Sequence, residues 1–201
     1  MDRTAFLRLL SRQLFPQLRA DGFAGSGSTL RRSIGPVLQV FNVQGSTDAT
    51  SFFVNLGATL LPLVPGPEPV ASEVKEYQCI FRARLHPSDP PRQAWAYGET
   101  EDDAADVAAR LHDAYRTRGR AWFDDHGGAP GSLRRRIEDP AAMALHPAHV
   151  LSMARIAEQI GDIDRCRQLA SEGLRRAPER ATGLVADFHR LLDRVGRPAR
   201  E

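Results

Sequence analysis

Apolar residues near the start of the chain return at steps of three and four: Leu7, Leu10, Leu14 and Leu18. That spacing predicts a helix over residues 4–20 that buries one stripe, with Asp2 or Thr4 as its cap. Pro16 falls inside the pattern, so the helix is expected to kink or restart there, and Gly22 to end it. The period then changes. Residues 29–34, 37–44 and 51–60 are rich in β-branched and aromatic side chains, among them Val40, Phe41, Val43, Phe52, Phe53 and Val54, which predicts strands. Gly35-Pro36 and a polar loop from Gly45 to Thr50 separate them. Connections this short make antiparallel hairpins, because parallel neighbours need a crossover of about a dozen residues or more.

Pro62, Pro65, Pro67 and Pro69 mark a loop. A fourth strand is expected over 77–85, where Tyr77, Cys79, Phe81, Ala83 and Leu85 alternate with Gln78, Arg82 and Arg84, Ile80 being the exception. Gln93 to Tyr97 reads as a short edge strand. Thr100 before Glu101-Asp102-Asp103 is a capped, acid-rich helix start, and Val107, Ala108, Leu111, Ala114 and Tyr115 form its stripe. Trp122-Phe123 closes this part, and Gly127–Gly131 is the best boundary. The remainder reads as helical: one stripe runs from Val150 to Ile160, a second helix from about Ile163 to Ala177, and a third from about Ala181 to Val195. The fold class is therefore α+β, an antiparallel β-sheet flanked by helices with a C-terminal all-helical extension. The expected domains are 1–137 and 138–201, with the extension packing on the sheet domain.

Composition narrows the class of function more than it names one. An apolar fraction of 42% and a charged fraction of 26% suit a globular chain and argue against extended disorder. Cations and anions nearly cancel, 27 against 25, which gives little ground for a nucleic-acid or membrane partner. Arg8 and Arg12 interrupt the N-terminal apolar pattern, so it does not read as a signal peptide. No run of about 18 apolar residues suggests a membrane span. Two distant cysteines, Cys79 and Cys166, make no disulfide framework. A cytoplasmic location is the expectation.

Several segments together carry a family resemblance: the opening helix into "ADGF" (20–23), "STLRR" (28–32), "VFNVQGS" (40–46), "FFVNLG" (52–57), "CIFRARL" (79–85) and "AWFDD" (121–125). In order and spacing, residues 4 to about 137 resemble a bacterial family catalogued as domain of unknown function 4304. The resemblance implies a helix-flanked antiparallel sheet and brings no activity with it. Beyond it, "ARIAEQIGDIDRCRQLASEGLRRAP" looks like one tetratricopeptide-type helical hairpin. A solenoid needs about three such repeats, so a single accessory hairpin is the reading.

The candidate site lies on the sheet. Asn42, Gln44 and Asn55 are amides in mid-strand, where amides are disfavoured, and Arg82 with Arg84 shares one face of its strand. Together they read as a ligand- or partner-binding face for a carboxylate, a phosphate or a partner loop; the plain alternative is a solvated sheet face with paired arginines. His146 and His149 are three apart but lack the further ligands that a metal site needs. No catalytic residue is assigned: there is no GxSxG elbow, Cys79 alternates with core positions, and the "GSGS" loop at 25–28 lacks the ending of a phosphate-binding loop. No cofactor is implied. Arg116, Arg118 and Arg120, then Arg134, Arg135 and Arg136, read as solvated helix ends, since no nucleic-acid motif accompanies them. The leading functional reading is a non-catalytic protein- or peptide-binding module, of which an immunity-type or antitoxin-type partner is one form. An enzyme acting on a small acidic or phosphorylated substrate is the alternative, and nucleic-acid binding comes third.

Overall fold

A computed structural model describes residues 2–196 apart from 48, 67 and 88–93. The chain divides into two compact units, Met1–Ala129 and Pro130–Glu201. The first opens with α1 (Arg3–Gln13), capped by Asp2, whose carboxylate accepts from the Ala5 N–H at 2.8 Å. Pro16 cannot donate a helical hydrogen bond, and the helix restarts as α2 (Phe15–Ala20) after a break at Leu14.

Among the described residues, one antiparallel sheet follows in the order β1 (Ala24–Ser26), β2 (Thr29–Ile34), β3 (Val37–Gly45), β4 (Ser51–Leu60), β5 (Phe81–Arg84), with β6 (Trp95–Ala96) pairing further along β4. The expected strands at 29–34, 37–44 and 51–60 are present. Two expectations are corrected. The 25–28 stretch is not wholly a loop, because Ala24–Ser26 pairs with β2. The strand expected over 77–85 covers only Phe81–Arg84: Glu76–Gln78 is a single 3-10 turn, Tyr77 stands 66% exposed, and Cys79 packs on the face opposite to Phe81 and Ala83. Of the edge strand expected at 93–97, Trp95–Ala96 is seen; Gln93, like Asp48 and Pro67 in the expected loops, lies outside the described residues.

Side chains alternate across the pleat, and the register sorts them into two faces. Leu30, Phe41, Val43, Phe52, Val54, Leu56 and Leu85 meet α1, α2 and the long helix α3 (Glu101–Ala114) in the main core. Thr100 starts α3 with a capping box: its hydroxyl accepts from the Asp103 N–H, and the Asp103 carboxylate accepts from the Thr100 N–H. A π-helical turn at Tyr115–Gly119 and α4 (Arg120–Phe123) continue that helix, and the backbone leaves helical geometry at His126.

The other sheet face is only half covered. Residues 61–66 and 68–80 lie on it and bury Val64, Val74 and Cys79 against Leu38 and Val40. They approach so closely that a Cβ at Gly57, mid-strand in β4, would stand 2.8 Å from the Cys79 sulfur; glycine is the residue a central strand can place under such a contact. Arg31 ties the second stretch down, donating through Nε to the Val74 carbonyl at 2.7 Å.

The second unit is helical: α5 (Ser132–Glu138), α6 (Ala141–Ala144), α7 (Pro147–Gln159), α8 (Ile163–Arg176) and α9 (Thr182–Gly196). Pro147 sits in the first turn of α7, where its missing N–H costs nothing. Asp162 caps α8. Val150, Ala154, Ala157, Cys166, Leu169, Ala170, Phe188 and Leu191 fill the core, and Phe188 is its one aromatic ring. That ring lies so close on Gly173 that a Cβ there would collide with it.

Candidate functional site

The uncovered half of the outer sheet face gathers all five sequence-selected residues. Register places Thr29, Asn42, Asn55 and Arg84 in one row across four strands. Gln44 stands two residues along from Asn42, and Arg82 two along from Arg84, so both share that face. The amides bind one another. Asn55, only 6% exposed, donates through Nδ2 to Asn42 Oδ1 at 3.2 Å and to Gln44 Oε1 at 2.9 Å, and Asn42 Nδ2 donates to Thr29 Oγ1 at 2.8 Å. This is why a buried amide is tolerated in mid-strand: its Nδ2 group finds two acceptors locally. The ladder is thus largely spent on itself and acts as a stiff floor.

Positive charge stands above that floor. The Arg84 guanidinium lies over the Phe53 ring, 4.1 Å from its centroid, a cation–π placement that orients the group. Arg82 contacts the Glu76 carboxylate at 3.3 Å, with about half of its own side chain exposed. Glu76 is buried, and its Oε2 receives no hydrogen bond, so the ion contact with Arg82 is its compensation. A hollow of about 240 Å³ runs over Asn55, Leu56, Arg82, Ala83 and Arg84, and another of about 230 Å³ lies among Thr29, Asn42, Gln44, Lys75, Glu76 and Tyr77. These shallow hollows suit a chain segment laid across the face. Thr29, Phe53, Glu76 and the exposed Tyr77 were not singled out from sequence. Thr29 was within reach, since the 29–34/37–44 hairpin puts it opposite Asn42; Glu76 was not, because it arrives from a turn with no periodic signal.

The remaining sequence candidates lie elsewhere. His146 caps α7, its ring nitrogen accepting from Ala148 N–H at 3.3 Å, with the His149 ring 6.5 Å away. Among the described residues, no group of three or more His, Cys, Asp or Glu gathers to hold a metal. Burial, helped by the neighbouring Glu76 charge, pushes the Cys79 thiol up to about 12, which leaves it protonated and unreactive. Cys166 is pushed up to about 11 by the same chief cause, burial. Arg118 donates to the His86 carbonyl at 2.8 Å, and Arg134 pairs with Asp162 at 2.9 Å.

A second polar cluster joins three of the family-like segments. Asp21, from "ADGF", accepts from the Tyr115 hydroxyl at 2.6 Å and from Arg120 Nε at 2.8 Å. Arg32, from "STLRR", donates to the Asp21 carbonyl at 2.8 Å and to Gln39 Oε1 at 2.6 Å, and lies over the Phe23 ring. Gln39 in turn donates to the carbonyl of Phe123, in "AWFDD", at 2.7 Å. Burial alone would raise the Asp21 carboxyl; the hydrogen bonds from Arg120 and Tyr115 outweigh it and hold the group below its ordinary value. The cluster clasps α2, β2, β3 and α4 together.

Fold and site thus define a helix-flanked antiparallel-sheet domain with a half-covered outer face, followed by a helical unit. Residues 14–125 match the family described as domain of unknown function (DUF4304), and the chain belongs to that family. No curated protein and no solved structure matches the chain.

Proposed function

We propose that the sheet domain is a non-catalytic binding module that takes an acidic segment of a protein partner on the uncovered half of its outer face. The observation that carries this reading is the pair of exposed guanidiniums, Arg82 and Arg84, held over a self-satisfied amide floor on one face. Charge-assisted hydrogen bonds from arginine forks to carboxylates are strong and directional, and a floor that keeps its own polar groups paired spends little in ordering. The helical hairpin of α7 and α8, tetratricopeptide-like in its sequence, offers a second surface for the same partner. Two buried free thiols, Cys79 and Cys166, suit a reduced cytoplasm. Among the described residues, no helix is long and apolar enough to cross a membrane.

The test pairs capture with stability. The full chain and its Arg84→Ala variant are used as baits in the source cell's lysate, and both are melted. Arg84→Ala is expected to keep its melting temperature, as exposed substitutions shift stability by only about 0.5 kcal/mol, while losing a protein that the parent chain captures. Capture of that protein should also weaken as salt rises. A variant that captures the same protein with unchanged salt dependence would overturn the reading.

A further inference from the structure

The helices that cover the inner sheet face carry opposite charges side by side. Phe6 and Leu10 of α1, like Ala104, Ala108 and Leu111 of α3, are buried in the main core, so the far sides of both helices point outward. At about 100° per residue, Arg8 and Arg12 stand opposite the buried stripe of α1. Asp102, Asp106 and Asp113 stand opposite that of α3, and all five side chains are exposed. α1 contains no acidic residue. Arg110, the one arginine of α3, lies about 60° round from Asp113, which leaves the α3 stripe net acidic. The two stripes run the same way. Phe6, early in α1, meets the Tyr97 ring just before Thr100 starts α3. Asp21, just after α2, accepts from the Tyr115 hydroxyl just after α3.

The stripes nevertheless do not neutralise each other: among the described residues, no ion pair includes any of the five. Helices packed side by side stand about 8–10 Å apart, and side chains pointing straight away from a shared core diverge. Each stripe also sets like charges four residues apart, Arg8 with Arg12 and Asp102 with Asp106, which costs a helix stability.

We infer that this face joins two copies of the chain in a two-fold dimer, α1 of each copy lying on α3 of the other. Charge complementarity selects a second copy as the occupant. A two-fold axis lying in the interface, parallel to the helices, sets the basic stripe of each copy on the acidic stripe of the other and makes the two contacts identical. It also preserves the helix direction, so Arg8 and Arg12, in the middle of α1, meet the middle of α3. Ala5 and Ala109, half-buried and exposed on the same outward sides, add no bulk to hold the helices apart. Such a contact is mainly electrostatic, hence weak and sensitive to salt. It lies across the sheet from Arg82 and Arg84, and it does not rest on the acidic-partner reading.

Sedimentation velocity on the full chain tests the pairing by exchanging charges. One variant carries Arg8→Glu with Arg12→Glu, the other Asp106→Arg with Asp113→Arg. Asp102 is left in place because the dipole of α3 favours an acid in its first turn. Both variants should keep the parent's melting temperature, as exposed positions without partners allow. The parent is expected to sediment as a dimer at about 100 µM protein in about 0.05 M salt, and as a monomer in about 0.5 M salt. Each variant alone should be monomeric in both, its dissociation constant raised at least about tenfold by like charges facing each other. An equimolar mixture of the two should recover a dimer at low salt, since each basic stripe again finds an acidic one. A parent that is monomeric at low salt would overturn the inference, as would a dimer that survives both exchanges or a mixture that stays monomeric.

Discussion

Asp21 accepts hydrogen bonds from the Gln17, Tyr115 and Arg120 side chains, and its chemistry gives a pH signature. Its folded pKa lies below its ordinary value of 3.8, because the Arg120 and Tyr115 hydrogen bonds outweigh the penalty of burial. A depressed carboxylate contributes stability that is present above its unfolded pKa and is lost as pH falls through the folded one. Asp21→Asn should therefore lower stability near pH 6, by about 1–2 kcal/mol given that Arg120 is nearly half exposed. The deficit should shrink as the parent protein is taken below about pH 4, and urea midpoints across that range would check it. Arg82 poses a different question, since its partner Glu76 is buried while it is not. Arg82→Ala should destabilise by about 1 kcal/mol, by leaving a carboxylate uncompensated. Adding Glu76→Gln to that variant should recover most of the loss, which a double-mutant cycle measures. If Arg82→Ala alone left the urea midpoint unchanged, Glu76 would not depend on Arg82.

At the level of elements, legibility followed periodicity. The strands 29–34, 37–45 and 51–60 announced themselves through β-branched and aromatic residues, and their short turns fixed antiparallel pairing, so Asn42 and Asn55 were readable as strand residues. Their common face was not, since it depends on register and on the parity of the loop from 45 to 50. The stretch 77–80 misled for a physical reason. Tyr77 and Cys79 continue the alternation of Phe81 and Ala83 in sequence, but the Glu76–Gln78 turn breaks it, and the sulfur is drawn to the bare backbone of Gly57 instead. The π-helical turn at 115–119 also left no signal. A plain α-helix advances about 100° per residue, so the step from Leu111 to Phe123 would swing the buried face by about 120°; a wider turn takes back part of that drift, and both side chains stay in the core. In the helical unit one close contact is equally silent in sequence: Gly173 lies under the Phe188 ring. Gly173→Ala should cost about 1–3 kcal/mol by overpacking, and Phe188→Leu in the same chain should return part of it, as judged by helical circular dichroism on heating.

At the largest scale, each of the two units has a main core of its own, one between the sheet and helices α1–α4, with a smaller cluster on the outer sheet face, and the other among the helices after residue 130. Each has the compactness and the buried apolar set of a unit that can fold alone. Fragments 1–129 and 130–201 are each expected to unfold cooperatively when expressed separately; a fragment that stays uncooperative would show that its core needs the other. The distribution of aromatic residues makes the same question answerable in the intact chain. Both tryptophans, Trp95 and Trp122, and all three tyrosines, Tyr77, Tyr97 and Tyr115, belong to the sheet domain, with Trp122 stacked on His126 at 4.2 Å and Trp95 buried beside Phe52. Optically, the helical unit is dark: excitation near 295 nm lights only the sheet domain, while circular dichroism at 222 nm sees helices in both. A denaturation curve followed at these two wavelengths therefore reads two transitions from one unlabelled sample, and a partner that quenches or shifts the emission must have altered the sheet domain.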